Sequence, residues 1–228
     1  MKTYRNLCIL IIAAMIGGAG CKSNSSSPNG GGTTTLTIPG VGSVFVYDDY
    51  QTDTLTGAKI PSTEKFDTTT VIATHISFAG KTNVTQFREN AGGLNVSYMS
   101  YEPNGDVSFY VNSSGSPGSR SGWLTVPLAS KGQQSFTEFD TINGGVHSMT
   151  VETLTYTGAT TLTLAGNTFS AYTFNDQVLH NSSITYNNST DWFDAATGMV
   201  LQVDEPIIQP YGYKDRGSHF ALISYSIR

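Results

Sequence analysis

The stretch "TLTLAGNTFSAYTF", Thr161–Phe174, decides the fold class. Threonine alternates with leucine as far as Leu164. The pair Gly166-Asn167 interrupts, and alternation resumes with aromatic residues on the far side. Side chains of an extended strand point to opposite faces in turn, so a period of two marks a half-buried strand. A glycine-containing break between two such runs marks a two-residue hairpin.

The same period spreads outward from this hairpin. "SVFVYDDY" (Ser43–Tyr50), "VIATHISFAG" (Val71–Gly80), "GDVSFYVN", "MVLQVDEP" and "HFALISYSI" all alternate, and threonine, valine, tyrosine and phenylalanine dominate them. Such residues suit a pleated surface with one face covered. In "VIATHISFAG" the period puts Ile72, Ile76 and Phe78 on one face. Asn104-Gly105 reads as a second two-residue hairpin, and Asp194–Gly198 in "WFDAATGMVLQV" as a longer one with Gly198 at positive φ. "VNSSGSPGSRSG" (Val111–Gly122) is the longest polar interruption and reads as a loop rather than a domain boundary. No window carries a helical repeat over three turns. Roughly ten to thirteen strands are expected, as an antiparallel curved sheet or incomplete barrel, with a β-sandwich as the alternative.

The head of the chain is different. Lys2 and Arg5 precede an apolar run, Leu7–Ile16, and then the small residues Gly17, Gly18, Ala19 and Gly20. That layout is a secretory signal peptide, and the run is too short to span a bilayer. "GAGC" resembles the lipobox of bacterial lipoproteins through Ala19, Gly20 and Cys21, although Gly18 stands where the family usually has an aliphatic residue. The resemblance implies cleavage between Gly20 and Cys21 and acylation of the Cys21 thiol, so that the membrane is the first expected partner. Lys22 rather than an aspartate follows the cysteine, which by resemblance to lipoprotein sorting in two-membrane bacteria points to the outer membrane. Residues 21–35 are Ser-, Gly-, Asn- and Thr-rich and have little to bury, which describes a flexible tether. The expected organisation is therefore a signal peptide at 1–20, a tether at 21–35 and a single all-β domain at 36–228.

Composition excludes several functions. The whole chain carries a formal charge of −5, and loss of Lys2 and Arg5 with the signal peptide makes it −7. No basic stripe exists, so a nucleic-acid partner is not expected. Cys8 and Cys21 are the only cysteines, so the folded part has no disulfide or thiolate metal site. The sequence has no HExxH, Walker or dinucleotide motif. In "GSRSG" the position of a nucleophile elbow is occupied by Arg120. The four histidines, His75, His147, His180 and His219, show no metal-ligand spacing. No cofactor, metal or catalytic residue is expected.

Two places attract attention nonetheless. Asp191 and Asp194 flank Trp192, which could stack on a sugar; a glycosidase needs two carboxylates about 5–9 Å apart. Asp194 equally suits the first position of a turn. "IIQPYGYKDRGSHF" (Ile207–Phe220) crowds Tyr211, Tyr213, Lys214, Asp215, Arg216 and His219 into one loop, and loops carry binding sites. Tyr211, Tyr213, Lys214, Arg216 and His219 are the candidate binding loop, and Trp192 the candidate stacking residue.

The run from "LTYTGATTLTLAGNTFSAYTF" to "TYNNSTDWFDAATGMVLQV" resembles a pattern of uncharacterised bacterial envelope proteins. Ala165, Gly166, Thr168, Phe169, Tyr172, Trp192, Phe193, Gly198 and Val200 carry the match. Those proteins are similar in outline to the lipoprotein-localisation carriers, whose curved sheet wraps an apolar cavity. The resemblance implies a non-enzymatic envelope protein holding an apolar ligand, such as a lipid or acylated peptide. A surface glycan- or protein-binding module is the alternative, and a glycosidase-type enzyme ranks behind both. Replacing Cys21 by serine should abolish radiolabelled palmitate incorporation and release the chain from the detergent phase; a labelled, membrane-bound C21S chain would overturn the lipobox.

Overall fold

The computed structural model describes residues 35–53, 55–90, 95–111, 121–142, 145–180, 184–206 and 217–228. They form one 12-stranded sheet. Its strands are β1 (Val44–Thr52), β2 (Lys65–Phe78), β3 (Lys81–Glu89), β4 (Asn95–Tyr101), β5 (Val107–Val111) and β6 (Gly122–Val126). They continue with β7 (Gln133–Ile142), β8 (Gly145–Leu164), β9 (Asn167–His180), β10 (Ile184–Asp194), β11 (Val200–Glu205) and β12 (Gly217–Ser226). The spatial order is β6-β5-β4-β3-β2-β1-β12-β11-β10-β9-β8-β7, so two six-stranded meanders join where β1 pairs with β12. Every pairing is antiparallel, and the sheet curls into a nearly closed barrel with one unsealed seam, between β6 and β7. At that seam the Phe136 ring lies against the backbone of Gly122, where a Cβ would stand 2.7 Å from Cε2. Among the described residues helix is confined to the single 3₁₀ turn Pro61–Thr63. The sequence reading of an all-β curved sheet or incomplete barrel therefore holds, and the sandwich does not.

Eight strands make a barrel that side chains can just fill, and the diameter grows with strand number. Twelve strands need large residues or a plug, and this chain uses both. Tyr47, Phe174, Phe220, Met99, Leu154 and Leu201 are fully buried. Phe109 of β5 meets Phe193 of β10 across the interior, ring centroids 6.1 Å apart, and Phe193 meets Phe174 edge-on at 5.5 Å. Fully burying a side chain of this size contributes about 1.5–3 kcal/mol. One end is plugged. The Thr37 amide donates to the Ala196 carbonyl, Gly40 donates to Arg228, and Leu36, Ile38 and the fully buried Leu128 close over the core.

The turns refine the sequence reading. In the β8–β9 hairpin Leu164 pairs with Asn167, so the loop is Ala165-Gly166, one residue earlier than expected. Ala165 (φ 53°) and Gly166 (φ 72°) are both left-handed, as a type I′ turn demands. The β4–β5 loop holds three residues, Pro103, Asn104 and Gly105. Proline fixes a negative φ at the first, and Gly105 (φ 89°) closes a bulge. Val111 pairs with Gly122, so one hairpin spans the polar interruption and no domain boundary lies there. Register shifts after Val71, Ala73 and Ile76, with His75 at φ 55°, bulge β2 and break its period. Val71, not Ile72, enters the core, while Phe78 stacks at 3.7 Å on Tyr98, on the face opposite Met99.

Gly198 has φ 71°, and a Cβ there would lie 2.7 Å from Val107 Cγ1 and 3.2 Å from Leu128 Cδ1. Gly166 has φ 72° with nothing within 4 Å. Both alanine variants carry the left-handed penalty of about 1–2 kcal/mol, but only Gly198→Ala adds overpacking of about 1–3 kcal/mol. Urea titration should therefore show G198A the more destabilised by at least about 1 kcal/mol; equal losses would refute this close packing.

Candidate functional site

The barrel interior divides along its axis. The inward register that carries Phe45 and Tyr47 on β1 ends in Asp49. The same happens on other strands. Phe174 is followed in phase by Asp176, Leu201 and Val203 by Glu205, and Phe193 and Leu154 are preceded in phase by Asp191 and Glu152. Asp67 pairs with Tyr47, and Glu89 with Thr69, which puts both on the inner face. Seven inward carboxylates thus line the end opposite the plug. The described loop residues at that end include the 3₁₀ turn after β1.

Two of these acids are sealed from water and poorly satisfied. Asp67 and Glu89 are 0 % exposed, and the four oxygens of their carboxylates accept no hydrogen bond. Lys65 Nζ lies 2.6 Å from an Asp49 oxygen and 3.9 Å from one of Asp67. Burial pushes the Asp67 carboxyl up to about 8; Lys65 opposes this, and Asp49, Glu89 and Asp48 reinforce it. Burial likewise raises Glu89 to about 7, against the pull of Ser97. Asp191 accepts from Ser189 Oγ at 2.7 Å, yet burial and then the charge of Asp176 raise it well above the carboxylate range.

A second feature lies at the plugged end. A cavity of about 540 Å³ is bounded by Leu36 and Ile38 of the plug, Lys81 and Asn83 at the start of β3, and Tyr101 and Glu102 at the end of β4. Lys81 forms an ion pair with Glu102 and donates to Ser108 Oγ at 3.0 Å. The Tyr101 hydroxyl is buried without a partner, and burial pushes the phenol up.

The residues singled out from sequence scatter. Asp194 accepts from the Thr197 hydroxyl at 2.6 Å and from the amides of Thr197 (3.1 Å) and Ala196 (3.3 Å), which is the turn role. Asp191 faces the interior with Asp176, so the two acids do not form a pair across one substrate. Trp192 packs against the core. Cys21, Gly20 and the loop residues Tyr211, Tyr213, Lys214, Asp215 and Arg216 lie outside the described residues, as do the side chains of His147 and His180. His219 is on the outer face of β12, paired with Asp204 and 4.8 Å from the Tyr50 ring. An outer aromatic cluster escaped the sequence reading. Phe78, Tyr110 and Trp123 meet edge-to-face at 80–82° about Phe78, so those rings share no plane, and the Trp123 indole donates to the Ala79 carbonyl at 3.0 Å. The inward acids escaped it too. Their signal was present: each lies in phase with the apolar residues of its strand rather than out of phase.

No known family model matches the chain, and no curated protein is similar to it in sequence. Solved structures are similar in fold. A "putative lipoprotein" from Parabacteroides distasonis ATCC 8503 has a TM-score of 0.51 and 11 % identity, covering 86 % of this chain and 100 % of that one. An exported protein with a YmcC-like fold from Bacteroides fragilis NCTC 9343 has a TM-score of 0.46 and 9 % identity, over 84 % of this chain and 98 % of that one. The hypothetical lipoprotein YmcC from Escherichia coli has a TM-score of 0.37 and 12 % identity, over 82 % and 88 %. The first of these likenesses shows the fold, and the fold alone.

A carboxyl whose folded value exceeds its unfolded one takes up protons on folding. Its contribution is therefore complete below the unfolded value and lost as pH rises through the folded one. For Asp67 that window runs from the ordinary 3.8 to about 8. Wild-type stability should fall by a few kcal/mol between pH 5 and pH 8.5, and Asp67→Asn should flatten the fall and be the more stable protein at pH 8.5. Urea midpoints across that range check this; a parallel fall in D67N would remove Asp67 as the cause.

Proposed function

We propose that this chain is an exported, lipid-anchored protein of the bacterial cell envelope, held at the outer membrane through Cys21. It binds an amphiphile rather than converting a substrate. The cavity at the plugged end carries the binding part of this reading. Leu36, Ile38 and Tyr101 offer an apolar wall to an acyl chain, and the ammonium of Lys81 offers a counter-charge to an anionic headgroup. Its position supports the reading as well, because the plug is the segment that follows the tether. The central barrel does not serve an apolar ligand equally well, since its own aromatic side chains occupy it. The lipobox resemblance supports the anchor, and likeness to proteins described as lipoproteins and exported proteins agrees with it.

Native mass spectrometry on residues 33–228, recovered from an envelope-competent host, tests the binding part. A stoichiometric lipid or acyl species is expected, and Lys81→Glu should strip it from most of the population. An empty wild-type domain that also fails to take up a lysophospholipid would overturn the amphiphile reading.

A further inference from the structure

We infer that the cavity at the plugged end selects a zwitterionic amphiphile, one whose headgroup joins a phosphate to a primary ammonium, with Lys81 holding the first and Glu102 the second. This choice of ligand class rests on the amphiphile reading of that cavity, and goes beyond it in fixing the second charge of the head.

The cavity holds one charge of each sign. Of its described lining residues only Lys81 and Glu102 carry charged side chains. They come from the start of β3 and from just past the end of β4, and they are paired with each other. Their side chains are 24 % and 23 % exposed, so neither is lost to the core nor free in water. Each is fixed from behind. The Lys81 ammonium donates to Ser108 Oγ at 3.0 Å and lies 5.2 Å from the centroid of the Trp123 ring. Ser108 is itself fully buried and hydrogen-bonded to the Thr125 hydroxyl. The Glu102 amide donates to the Asp106 carbonyl, and the Glu102 carbonyl accepts from the Gly105 amide, both at 2.9 Å. The two charges therefore stand at set positions beside a volume of about 540 Å³, within the range of small-molecule pockets.

Charge balance then decides the ligand. A purely anionic head that draws Lys81 away from Glu102 leaves a partly buried carboxylate unpaired beside a second anion. Losing one partner of a buried ion pair is costly, because the other charge stays desolvated. An uncharged head leaves the pair as it is and gains nothing from it. A head with both signs exchanges one ion pair for two, phosphate on Lys81 and ammonium on Glu102. Cavity and ligand are each neutral, so no charge is stranded. The ammonium is primary because a carboxylate rewards N–H donors with charge-assisted hydrogen bonds. A quaternary ammonium has no N–H and is recognised on aromatic faces instead. The Trp123 face at this site already lies under the Lys81 ammonium.

The apolar part follows the same layout. Leu36, Ile38 and Tyr101 line the same cavity as the ion pair, so one molecule meets both with its chain and its head. Lys81 serves every phosphate-bearing amphiphile alike. Glu102 sets the order among them, because only its carboxylate distinguishes an ammonium from a second anion. Removing the two residues should therefore give different results: loss of Lys81 weakens all phosphate heads, and loss of Glu102 rearranges their ranking.

The test is isothermal titration of the mature chain carrying Cys21→Ser. The probes are lysophosphatidylethanolamine, lysophosphatidylcholine and lysophosphatidylglycerol of one acyl length, each below its micelle concentration. The ethanolamine lipid should bind about tenfold or more tighter than either of the others, the scale of one hydrogen bond to a charged group. Glu102→Gln should remove that preference and raise affinity for the glycerol lipid several-fold. Lys81→Gln should weaken all three. The pair is partly exposed, so both variants should keep a urea midpoint near that of the wild type. Glu64→Gln, whose carboxylate pairs with Lys59 outside the cavity lining, controls for general charge and should change nothing. Equal binding of the three lipids by the wild type, or an unchanged order in E102Q, would overturn the headgroup assignment and leave the amphiphile reading standing. Failure of all three to saturate would overturn both. Free phosphoethanolamine displacing its lysolipid at equal concentration would keep the charge pair and overturn the amphiphile reading.

Discussion

The pairing of β1 with β12 is the constraint on which the rest of the structure depends. Each meander, β1–β6 and β7–β12, is held by local hairpins, but neither can enclose a core. The register Val44–Ser226 to Thr52–Gly217 welds them into one sheet. The Tyr47 and Phe220 rings stack at 4.4 Å across this junction, and the Tyr47 hydroxyl donates to the Val200 carbonyl at 3.1 Å. The junction joins residues near the two ends of the described chain, so its loop-closure entropy is large, and such non-local pairings slow folding. It also explains why the plug works. Gly40 and Ser43 bind Arg228 because β1 and β12 deliver both ends of the domain to one place.

The seam is the counterpart of the weld. β6 has five residues and β7 has ten, so the two edges could not match along their length. An exposed edge is a liability that proteins blunt. Here the Phe136 ring on Gly122 closes the gap by packing in place of a ladder. The barrel is consequently sealed by side chains at one line and by hydrogen bonds everywhere else. Local opening should begin at that line, because packing there is not backed by backbone bonds.

Much of this was legible in the sequence, for a simple reason. Strand alternation is a local code, and residues such as Thr161–Phe174 state it without tertiary help. The same locality sets the limit. Ala165 accepted a left-handed conformation that composition gave to Asn167, and Pro103 forced a three-residue loop on a pair that usually makes two. β2 lost its phase at three bulges, which depend on how the β2–β3 hairpin bends and not on its own residues. For the site the limit was sharper. Carboxylates close in sequence drew attention, yet Asp194 was a turn residue. The acids that cluster are spread from Asp49 to Glu205, and only closure of the barrel brings them to one end.

That polarity of the interior has a physical logic once the ends are distinguished. Leu36, Ile38 and Leu128 cover the core at the plugged end, and there the chain places its aromatics. At the opposite end acids occupy the inward positions. An apolar filling at that end would have been the more stabilising choice, since buried unpaired carboxyls cost free energy and well-packed hydrophobic replacements generally do not. Retaining Asp67 and Glu89 at 0 % exposure therefore runs against stability. Strain of this kind, kept where a hydrophobic residue would fit, is the mark of a position used for something other than holding the fold.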